Sequence, residues 1–222
     1  MSWKNYFSTS VGKKIQMSLT GIFLIVFLVV HCYINAQIFW NDGGVEFDKL
    51  AHFMGTNPVI RTIEIGLFAF LILHIVQGLI LWSKNRAKRT TRYAVSAGNA
   101  TSKWYSRSMG LLGTLILLFL IVHISMFWAP NRASQTMGDG ELPLYHMMRD
   151  EFQNPLIVLL YVFGCVALAW HLLHGFYSAF QTLGLTTNKY KSIIKSLGIA
   201  FSIIVPLIFA LMPIAFYLGW VA

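Results

Sequence analysis

Five long apolar stretches leave this chain few folds to choose from. They cover about residues 16–38, 59–82, 108–129, 155–181 and 192–220. A helix crossing a hydrocarbon core needs roughly 20 consecutive apolar residues, and each stretch reaches that length. In lipid the backbone must satisfy its own N–H and C=O groups, which selects helices over open sheet. Only 11% of the 222 residues are charged, against about 25% in soluble domains. The expectation is therefore a single all-α integral membrane domain, residues 1–222, with five transmembrane helices. Helices I to IV should form a four-helix bundle, with helix V packed outside. The apolar run after Lys13 and Lys14 is longer than a signal-peptide core, so it reads as an uncleaved first helix. Cys32 and Cys165 fall inside spans and read as small apolar filler; without a CxxCH motif there is no covalent c-type haem.

Charge divides the chain into two sides. The N-terminal tail, the link between helices II and III, and the link into helix V together carry thirteen Lys and Arg and no acid. The opposite side carries Lys49, Arg61, Arg132 and Arg149 against all eight acids, a balance of 4 − 8 = −4. The positive-inside rule places the basic side in the cytoplasm, with the N-terminus inside and the C-terminus outside. That face suits anionic lipid or a soluble protein partner; nucleic acid does not fit a surface pressed against a bilayer. Trp40, Trp82, Trp104, Trp128 and Trp220 lie near span ends and read as interface anchors.

Five histidines lie within spans, where ionisable groups are expensive and mark function. At 1.5 Å of rise per residue, His31 and His123 lie about 22 Å from the cytoplasmic edge, His74 about 12 Å and His171 about 15 Å. Helices I and III thus offer a pair in the outer leaflet, and II and IV a pair in the inner leaflet. In a four-helix bundle these are the diagonal partners. Two pairs at two depths are what two bis-histidine haems require. The alternative is polar glue or a proton relay in a haem-free transporter. "HIVQG" from His74 and "HLLHG" from His171 both place a glycine, Gly78 or Gly175, one turn beyond a histidine. A side chain there would meet a porphyrin. The match makes His171 the axial ligand and leaves His174 to a propionate, a neighbouring helix or water.

The ordered set "GKKIQMSLTGIFL", "FDKLAHFM", "IEIGLFAFLILHIVQG", "GLLGTLILLFLIVH" and "WHLLHGFYSAF" resembles the di-haem cytochrome b anchor of succinate:quinone oxidoreductases, the succinate dehydrogenases and fumarate reductases. The resemblance implies two b-type haems, the distal one on His31 and His123 and the proximal one on His74 and His171. It also implies a flavoprotein and an iron–sulfur subunit on the cytoplasmic face, in a bacterial inner membrane, with menaquinone or another quinone as carrier near the distal haem. Quinone chemistry moves protons, and Glu64 is the group at the right depth to carry them; equally, it could simply pair with Arg61, three residues away. His52 and His146 are expected in outer loops. Di-haem cytochromes of hydrogenases or formate dehydrogenases are the nearest rival reading.

Overall fold

The computed structural model describes residues 9–87 and 104–221. Among them there is no strand, and five helical segments are long and apolar enough to cross a membrane: Val11–Trp40, Pro58–Ala87, Met109–Met137, Pro155–Thr182 and Lys191–Tyr217. These carry the five expected spans. Lys88, Arg89, Arg92 and Lys103, counted above among the basic-side charges, lie outside the described residues, as does Lys4.

The helices start where the sequence supplies caps. Helix α1 (Ser10–Asn35) opens with the Thr9 hydroxyl accepting from the Gly12 N–H. A 3₁₀ turn, Ala36–Trp40, follows it. After α2 (Val45–Thr56), Asn57 caps α3 (Pro58–Ala87) through its side-chain oxygen, and proline fills the first helical position. A short α4 (Trp104–Arg107) leads into α5 (Met109–His123). Residues Ile124–Trp128 then form a π turn before α6 (Ala129–Met137). Pro130 explains the widening: it has no N–H to give and its ring crowds the carbonyl of the preceding turn. The third span therefore runs past the expected boundary at 129 and stops at Gly138, in the left-handed region at φ +88°. Helices α7 (Leu144–Glu151), α8 (Pro155–Thr182) and α9 (Lys191–Tyr217) complete the chain.

Helix α1 packs beside α3 and α8, and α5 beside α8 and more loosely α3. So α1 faces α5, and α3 faces α8, across the bundle. Helix α9 lies outside this ring, mainly along α8 and in part against α1. The buried core is not at mid-membrane. Ile38, Phe47, Tyr145, Met148, Phe152, Tyr161, Met212 and Phe216 gather at the acidic end. Helices α2 and α7 cover that end, which corrects the expected loops around His52 and His146. Their apolar faces, Phe47 on one and Tyr145 and Met148 on the other, justify the helices. The Tyr145 ring lies directly over Gly44 (φ +88°), where a Cβ would overlap it.

Candidate functional site

The bundle brings four histidines together as two pairs. At the level nearer the acidic end, the His31 and His123 rings stand 5.8 Å apart, centroid to centroid, and nearly perpendicular at 86°. Nearer the basic end, His74 and His171 stand 6.2 Å apart at 68°. All four residues are half-buried.

The acidic-end pair sits among aromatic rings. Phe27 stacks on His31 at 5.1 Å, and Phe209 of α9 approaches the same ring at 5.5 Å. Phe119 stacks on His123 at 5.5 Å, and Gly164 makes room for it: a Cβ there would lie 2.6 Å from the Phe119 ring. Nδ1 of His123 is 3.4 Å from the Tyr161 hydroxyl, which donates in turn to Met126 Sδ at 3.8 Å. The Asn35 amide donates to the His31 carbonyl at 2.8 Å and meets His31 Nδ1 at 3.3 Å.

The basic-end pair has polar support instead. His74 Nδ1 lies 3.1 Å from Thr20 Oγ1, and that hydroxyl donates to the carbonyl of Gln16 at 2.9 Å. Gly21 lies against the His74 ring, with room at 3.6 Å for a Cβ. Gln77 donates to Gln16 Oε1 at 2.9 Å, tying α3 to α1 one turn beyond His74. His171 Nδ1 is buried with no hydrogen-bond partner among the described residues. Beside Gly78, a Cβ would meet only the mobile tip of Met17 at 3.6 Å; beside Gly175, only the His171 ring at 3.9 Å. His174 is half-buried on α8.

Glu64 lies between the acidic-end pair and the covering helices. It takes Nη2 of Arg132 on both oxygens at 2.9 Å, Nη1 of Arg61 at 2.8 Å, and the indole N–H of Trp128. Arg61 was legible as a partner from its spacing. Arg132 was not, being 68 residues away, and Trp128 serves this cluster rather than acting only as an interface anchor. Arg132 donates onward to Gln135, Gln135 to Glu141, and Glu141 meets His52 Nδ1 at 2.6 Å. A cleft lined by Asp48, His52, Asn131 and Glu141 opens beside this chain of contacts. Burial holds the Asp48 carboxyl above the usual carboxylate range, the Tyr145 N–H bond only partly opposing it. His146 is exposed, and Cys32 and Cys165 are buried free thiols.

The chain is 27% identical to the succinate dehydrogenase cytochrome b558 subunit of Bacillus subtilis (strain 168) over 175 residues, 77% of this chain and 79% of that subunit. The resemblance to the succinate dehydrogenase cytochrome b anchors stands. No family model matches the chain, and no solved structure matches it. A cytochrome b holds haem, so the donor set can be tested against that group. Two imidazoles bonded to opposite faces of one iron at about 2 Å hold their ring centres roughly 6 Å apart. Both pairs meet that spacing. No group of three or more His, Cys, Asp or Glu among the described residues could hold a bare metal ion. Two donors per site suit an iron that already has four macrocycle nitrogens.

Proposed function

We propose that this chain is the membrane anchor and electron conduit of a succinate:quinone oxidoreductase. In this reading His31 and His123 would hold a distal b-type haem, and His74 and His171 a proximal one. The basic end lies in the cytoplasm and docks the iron–sulfur and flavoprotein subunits. The acidic end faces outward and serves menaquinone or another quinone. What carries the reading is the pair of facing histidine rings at two levels on diagonal helices, 5.8 and 6.2 Å apart. The similarity to a succinate dehydrogenase subunit supports the rest.

When bound, the haems supply one-electron carriers at two depths of the bilayer. The chain's own residues fix where they sit. Phe27 and Phe119 brace the distal imidazoles, and Thr20 braces His74. Gly78 and Gly175 keep side chains off the proximal macrocycle. Glu64 exchanges the quinone's protons with the outer side. Its oxygens already accept from Arg132, Arg61 and Trp128, so one of these donors must let go before Glu64 takes a proton.

A reduced-minus-oxidised absorption spectrum of the gently extracted complex tests this reading. Two b-type haems per chain, co-purifying with a flavin-bearing partner, are expected. Pure protein without b-type bands would overturn it in favour of a haem-free proton-coupled transporter.

A further inference from the structure

Each histidine pair contains one ring with a neighbouring hydroxyl against its Nδ1. Thr20 Oγ1 is buried and gives its only proton to carbonyls of its own helix, Gln16 O at 2.9 Å and Met17 O at 3.1 Å. Only its lone pairs are left for His74 Nδ1 at 3.1 Å. With the hydroxyl proton on either of those carbonyls, the ring donates, with Nδ1 protonated and Nε2 bare. Tyr161 repeats the arrangement on another helix. With its O–H on Met126 Sδ at 3.8 Å, its oxygen is free to accept from His123 Nδ1 at 3.4 Å. The opposite members of the pairs lack such a lock. His31 Nδ1 meets Asn35 Nδ2 at 3.3 Å, and that amide nitrogen also donates to the His31 carbonyl at 2.8 Å, so the neighbour there is an N–H and not an acceptor oxygen. His171 Nδ1 has no partner among the described residues.

We propose that Thr20 and Tyr161 are positioning residues: they hold His74 and His123 in the tautomer that presents Nε2 to iron, and they tune the two sites unequally. This rests on the haem reading above. A hydrogen bond donated from Nδ1 makes the imidazole a stronger electron donor, and loss of such outer partners typically weakens metal binding 10–100-fold. A stronger donor favours the ferric over the ferrous ion. Removing the acceptor should therefore raise the midpoint potential of the affected haem. The shorter contact, Thr20 to His74, should have the larger effect.

The test is a redox titration followed optically on the purified complex, comparing wild type with Thr20→Val, Thr20→Ser and Tyr161→Phe. Thr20→Val should move one of the two components upward, by about 59 mV for each tenfold loss of ferric preference, or release that haem. Thr20→Ser, which keeps the hydroxyl, should restore it. The component affected must be the one lost in His171→Ala. Tyr161→Phe should move the other component, and by less. An unchanged proximal component in Thr20→Val would overturn the proposal, as would equal damage from Thr20→Ser. A wild-type complex with no b-type haem would instead overturn the haem reading itself.

Discussion

The two ends of the bundle hold similar pairs of imidazoles by different means. At the acidic end, α1 gives way to a 3₁₀ turn one turn after His31, and the third span widens into a π turn directly after His123. The rings there are braced by Phe27, Phe119 and Phe209, and the buried core lies on the same side. At the basic end, α3 and α8 run as unbroken α-helices past His74 and His171, and α3 has no buried residue at all. Support there comes from single polar contacts, Thr20 to His74 and Gln77 to Gln16. Close packing resists change in every neighbouring atom, whereas a hydrogen bond rests on one. The acidic end is thus built to be rigid by itself. The basic end depends on a few contacts.

The largest effect expected from this contrast is complete loss of one haem. His171→Ala should empty the proximal site and leave the distal spectrum in place, while His174→Ala should keep both. Haem content per chain and the number of redox components are the readouts. Loss from His174→Ala alone would reverse the ligand assignment. A glycine pair sharpens the same point. Gly78→Ala has room, since its Cβ would meet only Met17; Gly78→Leu would reach further and should displace the proximal haem.

A smaller effect is expected at the acidic end. Arg132 is only 19% exposed in its pairing with Glu64. Removing it by Arg132→Leu takes away charge-assisted hydrogen bonds of about 1.5–3 kcal/mol and leaves Glu64 with Arg61 and Trp128. The apparent melting temperature should fall without loss of either haem. Arg132→Lys should recover only part, because one ammonium cannot reach Glu64 and Gln135 together as the two guanidinium nitrogens do. Glu64→Gln keeps the shape but cannot take a proton. It should slow quinone-linked turnover while sparing both haems and succinate oxidation by an artificial acceptor. Full quinone-linked activity in that variant would remove Glu64 from proton transfer and leave it as the anchor of the cluster.

The contrast also marks what a sequence discloses. The spans follow from uninterrupted apolar runs, and pairing by depth follows from helix rise alone, so His31, His74, His123 and His171 could be grouped before any coordinates. Arg61 was legible beside Glu64 because three residues make one helical turn. Arg132, Thr20 and Tyr161 were not, because nothing local relates them to residues 68, 54 and 38 positions away. The covering helices were missed because α2 and α7 are short and mix apolar with polar residues about evenly, and show their apolar face only where it meets the core. Pro130 was the visible hint of the π turn, since a proline inside an apolar run demands some local repair.

The smallest effect belongs to the basic surface, where the contrast predicts dependence on a partner. Lys84 and Arg86 close α3 at that end, and Arg86 lies 5.7 Å from the Trp82 ring centre. Trp82 in turn sits over the bare backbone of Gly110, where a Cβ would overlap it, so the arginine rides on a fixed platform. Lys88 and Arg89 follow in the sequence. If this face docks an acidic subunit surface, charge reversal at Arg86, Lys88 and Arg89 together should weaken co-purification of the partners at low salt. Exposed charges are screened beyond a Debye length of about 10 Å at 0.1 M salt. The gap between wild type and variant should therefore narrow as salt rises, because both attraction and repulsion fade. Haem content should not change, since Arg86 closes α3 well beyond both histidine pairs and Lys88 and Arg89 follow it in the sequence. Equal co-purification at every salt would mean that these charges serve only to orient the chain in the membrane, and the basic end would then owe its order to the His74–His171 site and to α1 rather than to a docked subunit.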